Sequence, residues 1–272
     1  MTELEYKFTN DALFKMVFCQ YPDLLKRLVA MMLGVQLESI KDFVITNPDM
    51  EPEVMGDKFC RLDINMLVDE QRVDLEIQVR DEGDYPVCSL YYWARDFSTA
   101  LKESEAYKTL PRTVIISILA FPQFPCEEFY SEYQILEVTR HTPLTDKLGM
   151  IYFELPKLPE IADASDELKL WLTLFNAKTE EDLAKIELIG GSIMQQAIGA
   201  YRQVTATDRF KEIERLRSRA RHNEASALDN ARREEREKWQ GVVADKDAAH
   251  TAVLADKYAL IAELLTRLGE KK

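Results

Sequence analysis

The sequence predicts an α/β fold: a mixed sheet flanked by helices, with a helical C-terminal extension. Three observations predict it. First, KFCRLDINMLVDEQRVDLEIQVR (58–80) holds two runs of alternating apolar and polar residues with a short join, the mark of a β-hairpin. Second, RTVIISILAF (112–121) is nearly all apolar, as a central strand buried on both faces is. Third, from Asp208 onward prolines vanish and charged side chains dominate, which suits a charged helical arm.

The elements follow in order. Thr9 or Asn10 is placed to cap a first helix with Leu13, Phe14, Val17 and Phe18 on one face. Pro22 suits the first turn of a second helix carrying Leu24, Leu25, Leu28, Val29 and Met32, and Gly34 is its stop. KDFVITN (41–47) predicts a strand, and NPDMEPEVMGD (47–57) a loop. After the hairpin, Pro86 to Glu103 turns helical and aromatic, with Leu90, Tyr91, Trp93, Ala94, Phe97 and Leu101. Helical spacing assigns most of Tyr91, Tyr92 and Trp93 to core packing, with stacking on bases as the alternative. Beyond the central strand, EYQILEV (132–138) and MIYFELP (150–156) predict two more strands. DELKLWLTLF (166–175) and much of 180–204 predict helices, and GGS (190–192) a break in the second.

The expected organisation is a first domain over 1–160, a helical extension packed on it over 161–205, and a charged arm over 206–272. With 46% hydrophobic residues, the 272-residue chain can build a full core. A net charge of −13 argues against indiscriminate coating of nucleic acid but leaves room for a local basic groove. The four cysteines (Cys19, Cys60, Cys88 and Cys126) form no C-x-x-C pair, so free thiols in a reducing compartment are expected. Neither a signal peptide nor a membrane span is read from the sequence, so the expected location is cytoplasmic. The three histidines share no metal-ligand spacing, and no P-loop, dinucleotide fingerprint or G-x-S-x-G occurs.

In the second leg of the hairpin, Asp74, Glu76 and Gln78 share one face. A turn at Glu70 and Gln71 would pair Asp69 with Arg72, set Asp63 opposite Gln78 and Asn65 opposite Glu76, and leave Asp63 and Glu76 diagonal, roughly 7 Å apart. Two carboxylates converging in this way suit a hard cation such as Mg²⁺, which takes oxygen ligands, and the backbone carbonyl of Ile77 can add another. An ordinary solvated sheet face fits the same pattern, and solvation is the simpler reading of Asp74.

The segments TNDALFKMVF (9–18), 58–80, SLYYWARDFSTALKESEAYKTL (89–110) and VIISILAF (114–121) resemble the recombination-promoting nuclease (Rpn)/transposase family of the PD-(D/E)XK nuclease superfamily. The resemblance covers roughly residues 8–160, more weakly to about 205. Its most specific pieces are N-D-x-x-F-K, the Asp…Glu-x-Gln hairpin and Y-Y-W-A. It implies a restriction-endonuclease-like α-β-β-β-α-β core and Mg²⁺- (or Mn²⁺-) dependent cleavage of DNA. It makes Asp63 and Glu76 the metal-binding acids, and it puts Gln78 where many superfamily members carry lysine. Gln78 can orient a water but brings no positive charge. That duty would pass to Lys15, Lys58 or Arg80. Asp11 is a further candidate near the metal, or else an acid complementing the dipole of the first helix.

In the arm, Arg209, Lys211, Arg215, Arg217, Arg219 and Arg221 stand against Glu212 and Glu214. Arg215, Arg217, Arg219 and Arg221 are candidates for DNA phosphate contacts, with an ordinary solvated helix as the alternative. Leu254, Tyr258, Ile261, Leu265 and Leu268 step by four and three, a short heptad stripe that favours a homodimer.

Overall fold

The computed structural model describes residues 2–47, 64–101, 104–159 and 166–269. Two compact units divide the chain, 1–212 and 213–272.

The first unit opens with α1 (Asp11–Gln20) and α2 (Pro22–Met32), followed by β1 (Phe43–Ile45), β2 (Ile64–Val68) and β3 (Gln71–Gln78). Then come α3 (Tyr85–Thr99), β4 (Thr113–Leu119), β5 (Tyr130–Tyr133), β6 (Leu148–Glu154), α4 (Glu167–Asn176) and α5 (Glu180–Ala206). The six strands form one mixed sheet in the order β1-β2-β3-β4-β6-β5. The pairs β3–β4 and β4–β6 are parallel and the other three antiparallel. β4 is central and buried along its whole length, as its unbroken apolar run requires.

The helices begin where local chemistry allows. The Asn10 side chain accepts the Leu13 N–H at 2.9 Å and caps α1, while Pro22 opens α2. Thr179 and Asp182 close a reciprocal capping box at the start of α5. α5 bends at the GGS sequence, where Gly191 adopts φ 58° and ψ −145°, which a side chain would strongly disfavour. A Cβ on Gly190 would lie 2.1 Å from Met194 Cγ, so the bend also packs tightly. α1, α2, α4 and α5 share an aromatic core: Phe14 meets Phe175 at 5.7 Å, Phe18 meets Trp171 at 5.9 Å, and Phe8 stacks on Tyr201 at 4.5 Å. α2 lines a cavity of about 400 Å³ together with Ile151 and Phe153, so this helical group covers one face of the sheet. α3 covers the other.

Two features differ from the sequence expectation. The hairpin turns at Asp69–Glu70 rather than Glu70–Gln71, and Val68 pairs with Gln71. Asp69 takes φ 52° there. Its carboxylate accepts the N–H groups of Lys41 (2.8 Å) and Asp42 (3.0 Å), which fastens the turn beside β1 and lowers its pKa. The register therefore slips by two residues: Asn65 faces Asp74, not Glu76. A slip of two keeps every side chain on its expected face. The second difference is β5, which covers Tyr130–Tyr133 instead of 132–138. The chain then leaves the exposed sheet edge and folds on itself, with Leu144 N–H bonded to Ile135 O and Glu137 N–H to Thr142 O.

α6 (Asp208–Gly269) starts in the first unit, where Phe210 is fully buried edge-on to Tyr6 at 4.9 Å. Over the second unit it is one continuous helix. Leu254, Tyr258, Ile261 and Leu265 are 38%, 68%, 51% and 64% exposed. No described helix is long and apolar enough to cross a membrane.

Candidate active site

The polar face of β3 meets the N-terminal half of α3. Parallel pairing sets Glu76 beside Ser117 of β4, and Ser117 beside Tyr152 of β6. Side chains alternate along strands, so these three point to the same side, toward α3. Tyr85, in the first turn of α3, reaches down to them. Its Oη lies 2.6 Å from Glu76 Oε2 and 2.9 Å from Ser117 Oγ. A phenol has one proton. It serves the carboxylate, and Ser117 donates to the phenol oxygen.

Further along α3, Ser89 Oγ donates to the Tyr85 carbonyl at 2.9 Å and lies 2.7 Å from Tyr152 Oη. Trp93 donates its indole N–H to the Thr113 carbonyl, and Arg72 pairs with Asp96. These bonds moor the helix along the strands. Glu76 is 9% exposed, Tyr85 4%, Tyr152 2%, and Ser89 and Ser117 are fully buried. Burial pushes the Tyr85 phenol well above its ordinary pKa, and the neighbouring Glu76 charge adds to the rise. Tyr85 therefore stays neutral and able to donate. Burial likewise raises Tyr152.

Asp74 is 8% exposed, so the expectation of a solvated Asp74 is corrected: α3 covers that part of the face. Gln78 stands past the shelter of Tyr85 and is half-buried, its Nε2 turned to the Arg80 carbonyl at 3.4 Å. Arg80 itself is exposed. The backbone of Ile77 faces away from β4. Arg72 N–H bonds to Arg112 O and Ala120 N–H to Gln78 O, so even-numbered residues of β3 address β4, and the Ile77 carbonyl points to the β2 side.

Lys15, on α1, is 4% exposed, and no hydrogen bond or ion pair is found for it among the described residues. Asp11 sits in the first turn of α1 with Oδ1 accepting the Ala12 N–H at 2.9 Å, the helix-end role. Asp63 and Lys58 lie outside the described residues. Tyr91 is 63% exposed on the outer side of α3, contrary to the expected core packing, while Tyr92 and Trp93 are half-buried. In α6, Arg217 and Arg221 lie 3.7 and 3.6 Å from the buried Glu214 carboxylate. Arg215 and Arg219 are exposed.

A divalent cation fits the chemistry of this donor set. The Glu76 and Asp74 carboxylates, the Gln78 amide and the Ile77 carbonyl are all oxygen donors, the type Mg²⁺ and Mn²⁺ take. Among the described residues no three His, Cys, Asp or Glu side chains converge.

Sequence reasoning did not identify Tyr85, Ser89, Ser117 and Tyr152. One signal was present: Ser117 is the lone hydroxyl in the otherwise apolar VIISIL. Only the parallel register shows that it stands beside Glu76.

No curated protein and no solved structure matches the chain significantly. A family model described as PD-(D/E)XK nuclease family transposase matches residues 8–231. The match runs beyond the resemblance read from sequence and into α6. With this hairpin, central strand and intervening helix, the chain belongs to the PD-(D/E)XK nuclease family transposases.

Proposed function

We propose that this chain is an endonuclease that hydrolyses DNA phosphodiesters with a divalent cation, Mg²⁺ or Mn²⁺, held by Asp63, Glu76 and the Ile77 carbonyl. The observation that carries the reading is the placement of Glu76: it is 9% exposed on the polar face of β3 that it shares with Asp74 and Gln78, and its Oε2 lies 2.6 Å from the Tyr85 hydroxyl. Asp63 lies outside the described residues, and its part in the site is proposed from the family the chain belongs to.

A bound divalent ion supplies Lewis acidity toward a phosphoryl oxygen and acidifies a water. The chain's own groups do the rest. Glu76 brings a fixed carboxylate, Gln78 orients the attacking water through its amide, and Lys58 or Arg80 brings the positive charge that Gln78 lacks, Lys15 being buried on α1 across the sheet. The family description supports a role in recombination or in mobile elements. Cys19, Cys88 and Cys126 are free thiols, consistent with a reducing cytoplasm. The exposed stripe of α6 supports pairing of two copies, and two sites held by a dimer would cut both strands. Arg215 and Arg219, both exposed, would meet phosphates together with Arg217 and Arg221.

The test is plasmid cleavage with Mg²⁺ and with EDTA, comparing native protein with Asp63→Ala and Glu76→Ala. Metal-dependent cutting lost in both variants is the expected result. A second reading, a DNA-binding or assembly protein with little or no catalytic power, is favoured by Gln78 itself, an uncharged amide turned to the Arg80 carbonyl. DNA retardation without cutting in the same assay would select it.

A further inference from the structure

We infer that Tyr85 is a positioning residue for Glu76, holding its carboxylate in one orientation ready for a cation. The inference rests on the functional reading above and adds residues that the reading does not use.

Geometry sets the argument. The hydroxyl of Tyr85 lies 2.6 Å from Glu76 Oε2, within a layer where both side chains are almost wholly buried. A carboxylate withdrawn from water needs donors, and a bond to a charged group is stronger than a neutral one. A glutamate also has three side-chain torsions to fix, and a short bond to a rigid ring fixes them. The ring is itself held. It sits edge-on to Tyr152 at 6.3 Å, and it belongs to a cluster with Leu119, Phe121, Leu148 and Met150. Its hydroxyl meets Ser117 at 2.9 Å, and its carbonyl accepts the Ser89 hydroxyl.

Phenylalanine would fill this apolar cluster as well as tyrosine does. The hydroxyl is a polar atom buried at a cost, and its partners are Glu76 and the serine beside Glu76 in the sheet. Tyr85 follows Glu76 by nine residues, across the turn from strand to helix. The helix start thus delivers the donor to the strand end that carries the acid.

The test is Mn²⁺ binding to the full-length protein, followed by the loss of the free-ion electron paramagnetic resonance signal. Tyr85→Phe removes the hydroxyl and keeps the ring. Its Mn²⁺ affinity should fall about tenfold, the scale of one hydrogen bond to a charged group. In a Glu76→Gln background the same change should have no further effect, because the group it positions is gone. Ser117→Ala, which leaves the Tyr85–Glu76 bond in place, should weaken binding only about two- to threefold. Circular dichroism confirms that each variant is folded, and Tyr85→Leu, which also lacks the hydroxyl, takes the place of Tyr85→Phe if that variant is not.

Native uptake of Mn²⁺ with Tyr85→Phe unaffected overturns this inference and leaves the nuclease reading standing. An equal loss in both backgrounds also overturns it, since Tyr85 would then act through the fold. Native protein that takes up no Mn²⁺ defeats the metal-dependent reading and this inference together.

Discussion

Replacing Glu154 by glutamine should destabilise the first unit by about 2–3 kcal/mol. Glu154 ends β6, and its side chain is fully buried. Oε1 accepts the N–H groups of Gln123 (2.5 Å) and Phe124 (3.1 Å), and Oε2 accepts Lys157 Nζ at 2.8 Å. Lys157 in turn donates to the Phe124 carbonyl at 2.7 Å, so the pair clamps the loop after β4 over the end of the sheet. Glutamine keeps the volume and the two backbone bonds, but it turns an amide NH₂ toward the ammonium. Breaking a buried ion pair from one side costs roughly 3–5 kcal/mol. The Lys157 side chain retains 12% exposure and can turn partly to water, which brings the figure somewhat below that range. For a unit of this size about 2–3 kcal/mol lowers Tm by roughly 5–10 °C. Urea and thermal unfolding followed by tryptophan fluorescence measure it, with Trp171 a fully buried reporter. Exchanging Lys157→Met in the same chain should recover part of the loss, because no lone charge then stays buried. A Glu154→Gln loss under about 0.5 kcal/mol would refute the clamp, since it lies below the worth of even one charged hydrogen bond.

Three further outcomes are expected. Gly191→Ala should cost about 1–3 kcal/mol in urea unfolding because of its φ of 58°, whereas Gly199→Ala, with nothing within 4 Å of the added Cβ, should be neutral or slightly stabilising. Burial pushes the Tyr201 phenol up to about 12, with Glu180 and Glu5 adding to the rise. An unfolded tyrosine titrates near about 10, so this stabilisation is complete below that pH and is lost as pH rises toward 12; Tyr201→Phe should flatten the alkaline fall in Tm. Ile261→Asp should convert a homodimer to monomers in light scattering after gel filtration, and a monomeric native protein would remove the pairing role of α6.

Much of the fold was legible because it rests on periodicity. The alternation of 72–80 and the apolar run of 112–121 each admit one placement, on a sheet face and at a sheet centre. Thr9 or Asn10, and Pro22, mark helix starts by local chemistry alone. The turn was misplaced by one residue because Asp69–Glu70 and Glu70–Gln71 serve equally well on composition. The decision came from distant N–H groups at Lys41 and Asp42, which a local reading does not see. β5 was drawn too late because an exposed edge strand imposes little apolar pattern. The buried state of Asp74 and the partners of Glu76 depend on which helix covers the strand and at what height. That is set by long-range register, of which the sequence shows only the lone hydroxyl of Ser117 in VIISIL. Glu76 and Gln78 were visible as residues that share a face, but Tyr85 became visible only once α3 was laid across β4.

The hairpin register has an evolutionary consequence. Because Asp69 and Glu70 form the whole connection between β2 and β3, any change in its length re-indexes the two strands. Removing or adding a single amino acid on the β3 side would swing the row of Asp74, Glu76 and Gln78 toward the aromatic helices and drive Val73 and Leu75 under α3. Changes by pairs would leave the chemistry pointing where it does. Descendants of this chain should therefore tolerate insertions and deletions here in twos, and lose the fold or the site when they come singly.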